Sequence, residues 1–288
     1  MIKLENTVTP SPEQWEATIR GTRNPMNSWG KSDSQFWPGH IRIGENDLDL
    51  MKRLIKSGTD HSKFMRFLPV MVDITAPLYW WKEFDTYKVG TVTNSCSTMH
   101  KIAEKEFTIE DFSTDKLQTV YNDNPMDAYF EGNVRCGSDD AINIVVKVLN
   151  YYRQRYVKTK DKAYWWQMIQ LLPTSYNQKR TVMLNYAVLR NIYHARAGHK
   201  LDEWQQFREW IETLPYSELI TMDSVPKSNK DKIADLSEIL KSDKLIREAF
   251  CGSVASALYE IPDGVDLSVQ EIAERITNRV VGDENGSN

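Results

Sequence analysis

The chain has 288 residues, which is enough for one large domain or two small ones, and either can bury a substantial core. Its net charge of −4 and isoelectric point near 5.8 argue against a broadly basic nucleic-acid-binding surface. Three widely separated cysteines exclude a disulfide framework and favour a reducing, cytoplasmic location. The N-terminus has no signal-peptide core and no stretch approaches about 18 apolar residues, so we expect neither secretion nor a membrane span.

The first sixty residues combine two helices with polar connections. Residues 1–12 are polar and carry two prolines, which favours an extended arm. Ser11 followed by proline predicts a helix that ends by Gly21, because serine caps helices and proline is tolerated at the first helical position. A long irregular loop follows over residues 22–39, and loops of that length are usually functional or disordered. The amphipathic stretch Asp47–Ser57 predicts the second helix.

The stretch between residues 61 and 100 joins three different patterns. Phe67–Thr75 is rich in β-branched residues at alternate positions and predicts a strand. Thr75-Ala76-Pro77 then predicts a helix start, followed by a short helix with many aromatic residues. Thr86–Thr98 consists mostly of small hydroxyl, amide and thiol groups with one lysine. It is either an ordinary surface loop or a ligand-binding loop.

The rest of the chain is mostly helical by pattern. Thr108–Phe112 is typical of a helix cap and first turn, and Asn122–Pro125 of a turn. Apolar residues at helical spacing predict a series of further helices. These are Asp139–Lys158, Ala163–Leu172, Thr181–Ala197, Asp202–Leu214, Lys232–Leu240, Asp243–Ala257 and Ser268–Val280. The polar tail that follows is expected to be disordered.

Common catalytic and metal-binding signatures are absent from the sequence. There is no GxGxxG, GxxxxGK[ST], HExxH or CxxC pattern. The histidines do not form a metal-ligand spacing, because His194 and His199 are five residues apart near a helix end, which is a poor geometry for one ion. We therefore expect no metal site.

The predicted helix Thr181–Ala197 carries two polar residues near one end. Asn185 and Arg190 project from an otherwise apolar face, where an amide and a guanidinium could face a bound anion or a flavin. Alternatively, Asn185 caps a neighbouring turn, while Arg190, Arg196 and His199 are solvated. The sequence leaves both interpretations open.

Two regions of the chain, residues 47–100 and 165–212, resemble the flavin-dependent thymidylate synthases. The first carries the strand, the Ala-Pro helix start and the polar loop, whose order and spacing agree with the family without a gap from Ala76 to Met99. The second carries a set of matching residues that begins about 70 residues later. These are Leu172-Pro173, Asn185, Arg196 and Glu203-Trp204. By this resemblance, we expect the nearest kin among divergent relatives in phages and prophages.

The family's polar loop reads Arg-His-Arg-x-x-Ser-x-Asn-Glu-x-Ser-x-Arg, and this chain departs from it at most positions. Lys88 keeps a positive charge where the family grips the flavin, Tyr87 could stack on the flavin ring, and Thr91 keeps a hydroxyl. Upstream, the family's His-x-Thr-Pro-Phe-Glu motif corresponds to residues 61–66 of this chain, where Arg66 replaces the glutamate. The resemblance therefore implies a cofactor site of His61, Lys63, Arg66, Tyr87, Lys88, Thr91 and Asn185.

The substrate positions also depart from the family. Asn94 replaces the family's glutamate, and Thr86 and Thr98 replace two of its anion-binding arginines. The family's late substrate-binding arginine falls on Ala187, for which Arg190 could substitute one turn later. The resemblance implies a substrate site of Asn94, Ser95, Cys96, Ser97, Thr98 and Arg190. Asn94 in place of a carboxylate could suit a cytosine instead of a uracil ring, or no nucleotide at all.

By resemblance, the protein is an enzyme of nucleotide metabolism that uses FAD, reduced nicotinamide (NADPH) and methylenetetrahydrofolate. It would methylate or hydroxymethylate C5 of a pyrimidine deoxynucleotide such as dUMP, with the protein supplying mainly positioning and electrostatics. Cys96 could be a nucleophile, although a single cysteine is more often an inert small residue. The alternative is a relative with altered catalysis that acts as a nucleotide- or flavin-binding regulatory protein.

The expected architecture is an α+β fold, in which a small, mostly antiparallel sheet is wrapped by long helices. Residues 1–220 would form the synthase-like domain, and residues 221–288 a helical C-terminal extension with a disordered tail. The family places its active sites between the subunits of a tetramer, so the resemblance also implies a homotetramer. No nucleic-acid polymer or membrane is expected among the partners.

Overall fold

The structure is a computed structural model that describes residues 2–117, 129–130, 134–135 and 137–223. Most of the predicted C-terminal extension and the predicted turn Asn122–Pro125 lie outside the described residues. The described residues up to Met222 form one compact unit. The predicted domain boundary at residue 220 stays a prediction. None of the helices in the described part of the chain is both long and apolar enough to cross a membrane.

The main sheet has four strands, all antiparallel, in the order β1-β4-β8-β5, and two two-stranded ladders accompany it. The strands are β1 (Lys3–Val8), β2 (Gln35–Trp37), β3 (His40–Arg42), β4 (Pro69–Pro77), β5 (Val92–Ser95), β6 (Tyr129–Phe130), β7 (Val134–Arg135) and β8 (Asn177–Asn185). This topology confirms the predicted small antiparallel sheet.

Helices accompany the sheet and cover one of its faces, which confirms the predicted α+β class. The helices are α1 (Pro12–Arg23), α2 (Glu45–Lys56), α3 (Leu78–Phe84), α4 (Thr98–Lys101), α5 (Ser138–Thr159), α6 (Lys162–Leu171), α7 (Tyr186–Ala195), α8 (Asp202–Glu212) and α9 (Glu218–Thr221). Ser11 caps α1 as predicted, since its hydroxyl accepts from the backbone N–H of Gln14 at 3.3 Å. Short 3₁₀ turns occupy Asn24–Met26, Trp29–Lys31, Lys63–Phe67 and Ile109–Asp111.

One face of the sheet is buried and the other is open. Alternate residues of the two central strands, including Val72 and Ile74 of β4 and Val182 of β8, have almost no exposed surface. They pack against an aromatic cluster from α3 and α8, in which the rings of Trp80 and Trp204 lie 4.8 Å apart. The residues between them point to the open face. Along one row of that face lie Val8, Met71, Met183 and Val92, all of them substantially exposed.

Some of the helix and strand boundaries predicted from the sequence are wrong. Residues 181–185 were predicted as the first turn of a helix, but they end strand β8, and α7 begins only at Tyr186. The alternation of buried Val182 and Leu184 with exposed Thr181 and Met183 is the two-residue period of a strand, and it outweighs the helical stripe that follows. Asn185 is therefore a helix cap and not a residue inside a helix.

The structure corrects or refines four smaller predictions. Thr75 does not cap α3, because β4 continues through Pro77 and that helix has no side-chain cap. The polar stretch Thr86–Thr98 is not all loop, since it contains the edge strand β5. Residues 22–39 are more ordered than an irregular loop, because they contain two short 3₁₀ turns and strand β2 of a hairpin. The extended arm of residues 1–12 contains strand β1, paired with β4.

A second apolar cluster lies apart from the main core. It brings together residues from α5, α6 and the segment between α4 and the 3₁₀ turn at Ile109–Asp111. Its buried members are Ile102, Phe107, Phe112, Ile142, Leu149 and Met168. The side-chain amide of Asn150 on α5 joins the two parts, because it accepts from the N–H of Phe107 at 2.9 Å and donates to its carbonyl at 2.8 Å.

Candidate functional site

The first cavity lies where the chain turns from α3 into the edge strand β5. The chain reverses there through successive turns, in which the N–H of Tyr87 donates to the carbonyl of Phe84 at 3.0 Å. Gly90 adopts a positive φ of +79°, which residues with a side chain rarely do. The turn encloses a space of about 330 Å³, which we call the Lys88 cavity. Its lining residues are Phe84, Asp85, Tyr87, Lys88, Thr91 and Thr93.

The Lys88 cavity contains two polar groups without protein partners. Among the residues that the structure describes, the exposed Lys88 ammonium makes no ion pair, and the buried hydroxyl of Thr91 makes no hydrogen bond. Asp85, which also lines the cavity, pairs with the guanidinium of Arg180 at 2.7 Å and not with Lys88. An anionic or acceptor-rich ligand would satisfy both the cation and the hydroxyl.

Two predicted cofactor residues at or beside this cavity are held in place by hydrogen bonds. The Tyr87 hydroxyl accepts a hydrogen bond from Nε of Arg196 at 2.8 Å. Asn185 caps α7, since its side-chain oxygen accepts from the N–H of Val188 at 3.0 Å. Gly90 approaches that cap so closely that an added Cβ would lie 3.0 Å from the Asn185 nitrogen. Asn185 thus supports the turn but does not line the cavity.

The second cavity lies at the other end of β5 and has a volume of about 480 Å³. We call it the Cys96 cavity. The N–H of Cys96 donates to the carbonyl of Lys179 at 2.9 Å, which continues the strand ladder by one residue. The Gln178 amide donates to the Cys96 carbonyl at 2.9 Å and to the Thr98 hydroxyl at 3.0 Å. Ser97 caps the short helix α4 by accepting from the N–H of His100 at 3.2 Å.

The lysines around the Cys96 cavity are all paired with carboxylates, and Glu110 adds a further carboxylate to its lining. Its three lysines are paired as Lys101 with Glu104, Lys105 with Asp111, and Lys179 with Asp73 at 3.3 Å. The hydrogen bond to Asp111 raises the pKa of Lys105, and the one to Asp73 raises the pKa of Lys179. Lys105 and Lys179 therefore carry a positive charge at neutral pH.

The neutral polar groups of the Cys96 cavity come from the start of β8. Burial and the neighbouring Asp111 carboxylate raise the pKa of Tyr176, so its hydroxyl remains a hydrogen-bond donor at neutral pH. The side-chain oxygen of Asn177 is buried and has no hydrogen-bond partner in the described part of the chain. A ligand with an N–H or O–H group would satisfy that oxygen.

The strand β5 separates the two cavities by a short and fixed distance. Thr93 lines the Lys88 cavity and Cys96 lines the other, and three strand residues span about 10 Å. Side chains alternate along the strand, so Asn94 and Cys96 share one face, while Thr93 and Ser95 share the other. Asn94 lies opposite Thr181 on the open face of the sheet.

The structure does not bring the remaining predicted site residues into either cavity. His61, Lys63 and Arg66 lie exposed in the turns before β4, and they line neither space. Arg190 is engaged elsewhere, because its guanidinium donates to the backbone carbonyls of Ile220 at 2.8 Å and Met222 at 2.5 Å.

The contribution of residues 176–178 to the Cys96 cavity was not predicted from the sequence. No element was assigned to the segment just before Thr181, and so nothing placed this segment beside the polar loop. The alternation through Val182 and Leu184, extended backwards, was the signal that would have identified the strand. Glu83, the acceptor that holds Arg196 at 2.9 Å, was also not predicted.

No metal centre is apparent in the residues that the structure describes. No group of three or more histidine, cysteine, aspartate or glutamate side chains there is arranged to hold an ion. Comparison with known proteins finds no matching family model and no matching curated sequence.

Solved structures do match the fold. Thymidylate synthase X from Helicobacter pylori, solved with FAD and dUMP, matches 77% of this chain and 96% of its own at a TM-score of 0.50 and 16% identity. A second structure of that flavin-dependent enzyme with the same ligands has the same score and identity, over 77% and 97% of the two chains. A UMP/dUMP methylase from Streptomyces cacaoi, bound with 5-Br UMP, matches 77% of this chain and 94% of its own at 0.48 and 14%. The chain thus has the fold of the flavin-dependent thymidylate synthases.

Proposed function

We propose that this protein is a flavin-dependent enzyme that transfers a one-carbon unit, as a methyl or hydroxymethyl group, to C5 of a pyrimidine deoxynucleotide such as dUMP. The observation that carries this proposal is the pair of cavities at the two ends of β5, each with a buried polar atom that lacks a partner. The shared fold supports it, because the Helicobacter pylori enzyme was solved with FAD and dUMP.

The Lys88 cavity fits part of an FAD molecule. Lys88 would neutralise negative charge on the cofactor, the free Thr91 hydroxyl would donate to an acceptor, and the Tyr87 ring would form one wall. When bound, the flavin would supply hydride chemistry with NADPH as the reductant. Its volume of about 330 Å³ is at the low end for ligand cavities, about 300–1,000 Å³. The rest of the cofactor would extend over the surface or onto another subunit, in keeping with a homotetramer.

The Cys96 cavity fits the pyrimidine nucleotide. The Thr98 and Tyr176 hydroxyls and the Asn177 amide would bind the base and sugar. Lys101 and Lys105 would turn from their carboxylate partners to the phosphate. For Lys101 this is a small change, because an exposed ion pair such as the one with Glu104 contributes only about 0–1 kcal/mol. Methylenetetrahydrofolate is the proposed one-carbon donor. We assign Cys96 to the wall of this cavity and give it no nucleophilic role.

The first test is the visible absorbance of the purified protein, with and without added FAD. The proposal predicts the bands of oxidised flavin, followed by spectral perturbation when dUMP, UMP or dCMP is titrated. Transfer of an isotope-labelled one-carbon unit from methylenetetrahydrofolate to one of these nucleotides would establish the reaction. A protein that neither carries nor takes up flavin would contradict the proposal.

The Lys88→Ala variant tests where the cofactor is placed. Because Lys88 supplies the unpaired cation of its cavity, we expect its loss to raise the FAD dissociation constant about tenfold or more, measured by quenching of flavin fluorescence. Lys82→Ala is the matched control, since Lys82 is an exposed lysine on the neighbouring helix that does not line the cavity. Equal affinities for the two variants would contradict this placement.

A second candidate function is that of a nucleotide- or flavin-binding regulatory protein. The observation that favours it is the replacement of the family's anion-gripping arginines by Thr86 and Thr98, together with lysines that are already paired with carboxylates. The same measurements distinguish the two functions. Flavin or nucleotide binding without any transfer of the labelled carbon would favour the regulatory protein.

A further inference from the structure

We infer that Arg196 and Glu83 are positioning residues that hold the Tyr87 ring as a fixed wall of the Lys88 cavity. Neither of them lines that cavity, so they would act through Tyr87. The inference rests on the proposed function for its effect on flavin binding, but its effect on the ring itself is independent of any ligand.

Glu83 is the centre of the arrangement. One of its carboxylate oxygens, Oε2, accepts hydrogen bonds from Nη1 of Arg196 at 2.9 Å and from Nε1 of Trp204 at 3.0 Å. Nε2 of His199 lies 3.0 Å from the same oxygen. The Trp204 donor is anchored in the core, since this residue has no exposed surface. The carboxylate is therefore tied to rigid parts of the fold.

Arg196 transmits this rigidity to Tyr87. Its guanidinium lies 4.5 Å from the centre of the Trp204 ring, and its Nε donates to the Tyr87 hydroxyl at 2.8 Å. A guanidinium presents several donors in one plane, so it can bind Glu83 and Tyr87 together. A lysine would offer only a single point of charge. The two residues form a clamp that fixes the far end of the Tyr87 ring.

His199 extends the clamp into the segment after α7. Its Nδ1 accepts from the N–H of Leu201 at 3.1 Å, and its Nε2 lies 3.0 Å from Oε2 of Glu83. These two contacts hold the segment after α7 against α3.

A clamped ring binds a flat ligand more tightly than a mobile one, because the mobile ring loses rotational freedom when the ligand binds. The Arg196→Met variant keeps an unbranched apolar stem that reaches about as far as Nε but removes the donors. We expect the FAD dissociation constant to rise about tenfold, with a changed visible circular dichroism of the bound flavin. In a Tyr87→Ala background the same substitution should have little further effect, because the residue through which it acts is absent.

The ligand-free protein provides the second readout. With 3-fluorotyrosine incorporated, the fluorine resonance of Tyr87, assigned by its loss in Tyr87→Phe, should lie away from the free-tyrosine position. Arg196→Met should move it towards that position. Arg208→Met is the matched control, since Arg208 lies 4.3 Å from the Tyr193 ring centre, donates to the Tyr193 carbonyl at 3.0 Å and lines neither cavity. That variant should change neither the resonance nor the affinity.

The outcomes separate the two proposals. A wild-type protein that binds no flavin would overturn the proposed function, while the fluorine resonance would still decide the positioning role. A Tyr87 resonance that Arg196→Met leaves in place would overturn the inference. The inference would also fail if Arg196→Met weakened flavin binding equally in the presence and in the absence of the Tyr87 ring.

Discussion

At the scale of single residues, Asp47 is the most heavily hydrogen-bonded carboxylate in the described part of the chain. It is 1% exposed and pairs with Nε of the buried Arg23 at 2.5 Å. The hydroxyls of Ser32 and Ser34 donate to its other oxygen at 2.7 and 2.6 Å. Burial alone would raise the pKa of Asp47, but the bonds from Ser34, Ser32 and Arg23 together lower it. This one side chain thus organises the segment between α1 and α2.

The Asp47→Asn variant tests this role. It leaves the buried Arg23 guanidinium without a counter-charge, which typically costs about 3–5 kcal/mol of unfolding free energy. We expect a loss of that order in urea unfolding followed by circular dichroism. Asp49→Asn, which breaks only the exposed pair with Arg53, should have almost no effect. Similar losses for the two variants would contradict the assignment.

Asp73 gives the chain a defined acid sensitivity. Hydrogen bonds from Thr181 at 2.7 Å, Asn6 at 3.0 Å and the Lys179 ammonium lower its pKa to about 2. A carboxyl whose pKa is lower in the folded state stabilises that state above its unfolded pKa, about 4, and loses this effect as the pH falls towards 2. Between pH 4 and 2 the wild type should therefore lose more unfolding free energy than Asp73→Asn. Parallel pH profiles would exclude this contribution.

At the scale of elements, the turn before β5 is fitted to the start of α7. Gly90 has a φ of +79°, and an added Cβ would lie 3.0 Å from Nδ2 of Asn185 and 3.1 Å from Cγ2 of Val188. The turn and the helix cap therefore depend on each other. The glycine permits both the left-handed backbone and the close approach.

The Gly90→Ala variant should lower the unfolding free energy by about 1–2 kcal/mol and also weaken flavin binding, because the turn carries Lys88. Gly39→Ala is a matched control, since Gly39 has a similar φ of +78° but nothing within 4 Å of an added Cβ. Gly39→Ala should introduce the same backbone strain without changing the affinity for flavin. Thermal unfolding and a fluorescence titration would separate the two effects.

The elements also show what the sequence could and could not predict. The strand β4, the helices α5, α6 and α8 and the cap of α1 follow from local period and cap chemistry, and they are confirmed. Strand β5 was not predicted because Val92–Ser95 is exposed throughout, so buried and exposed residues do not alternate along it. The start of β8 was missed because residues 177–181 carry polar side chains whose strand character depends on pairing with β4.

At the scale of the whole molecule, the two apolar clusters support different walls of the candidate site. The main core holds α3, whose last residue, Phe84, lines the Lys88 cavity. The second cluster holds the segment of residues 101–112, which forms the outer wall of the Cys96 cavity. Damage to one cluster should therefore affect one ligand more than the other.

Leu149→Ala tests this division. Leu149 is fully buried in the second cluster, and such truncations cost about 2–5 kcal/mol. We expect weaker nucleotide binding with nearly unchanged flavin affinity, measured by separate titrations below the unfolding temperature. Gln154→Ala, at an exposed position of the same helix, should change neither. Equal losses for both ligands would show that the clusters do not act separately.

The position of β5 has a consequence for how this protein can change during evolution. Four strand residues, Val92–Ser95, connect the two cavities, and side chains alternate between the faces of the sheet along them. Substitutions there alter one side chain at a time, so ligand preference can drift. Insertion or deletion of one residue would exchange the faces of all later side chains and displace both cavities. We therefore expect single substitutions in the strand to be tolerated more readily than a change in its length.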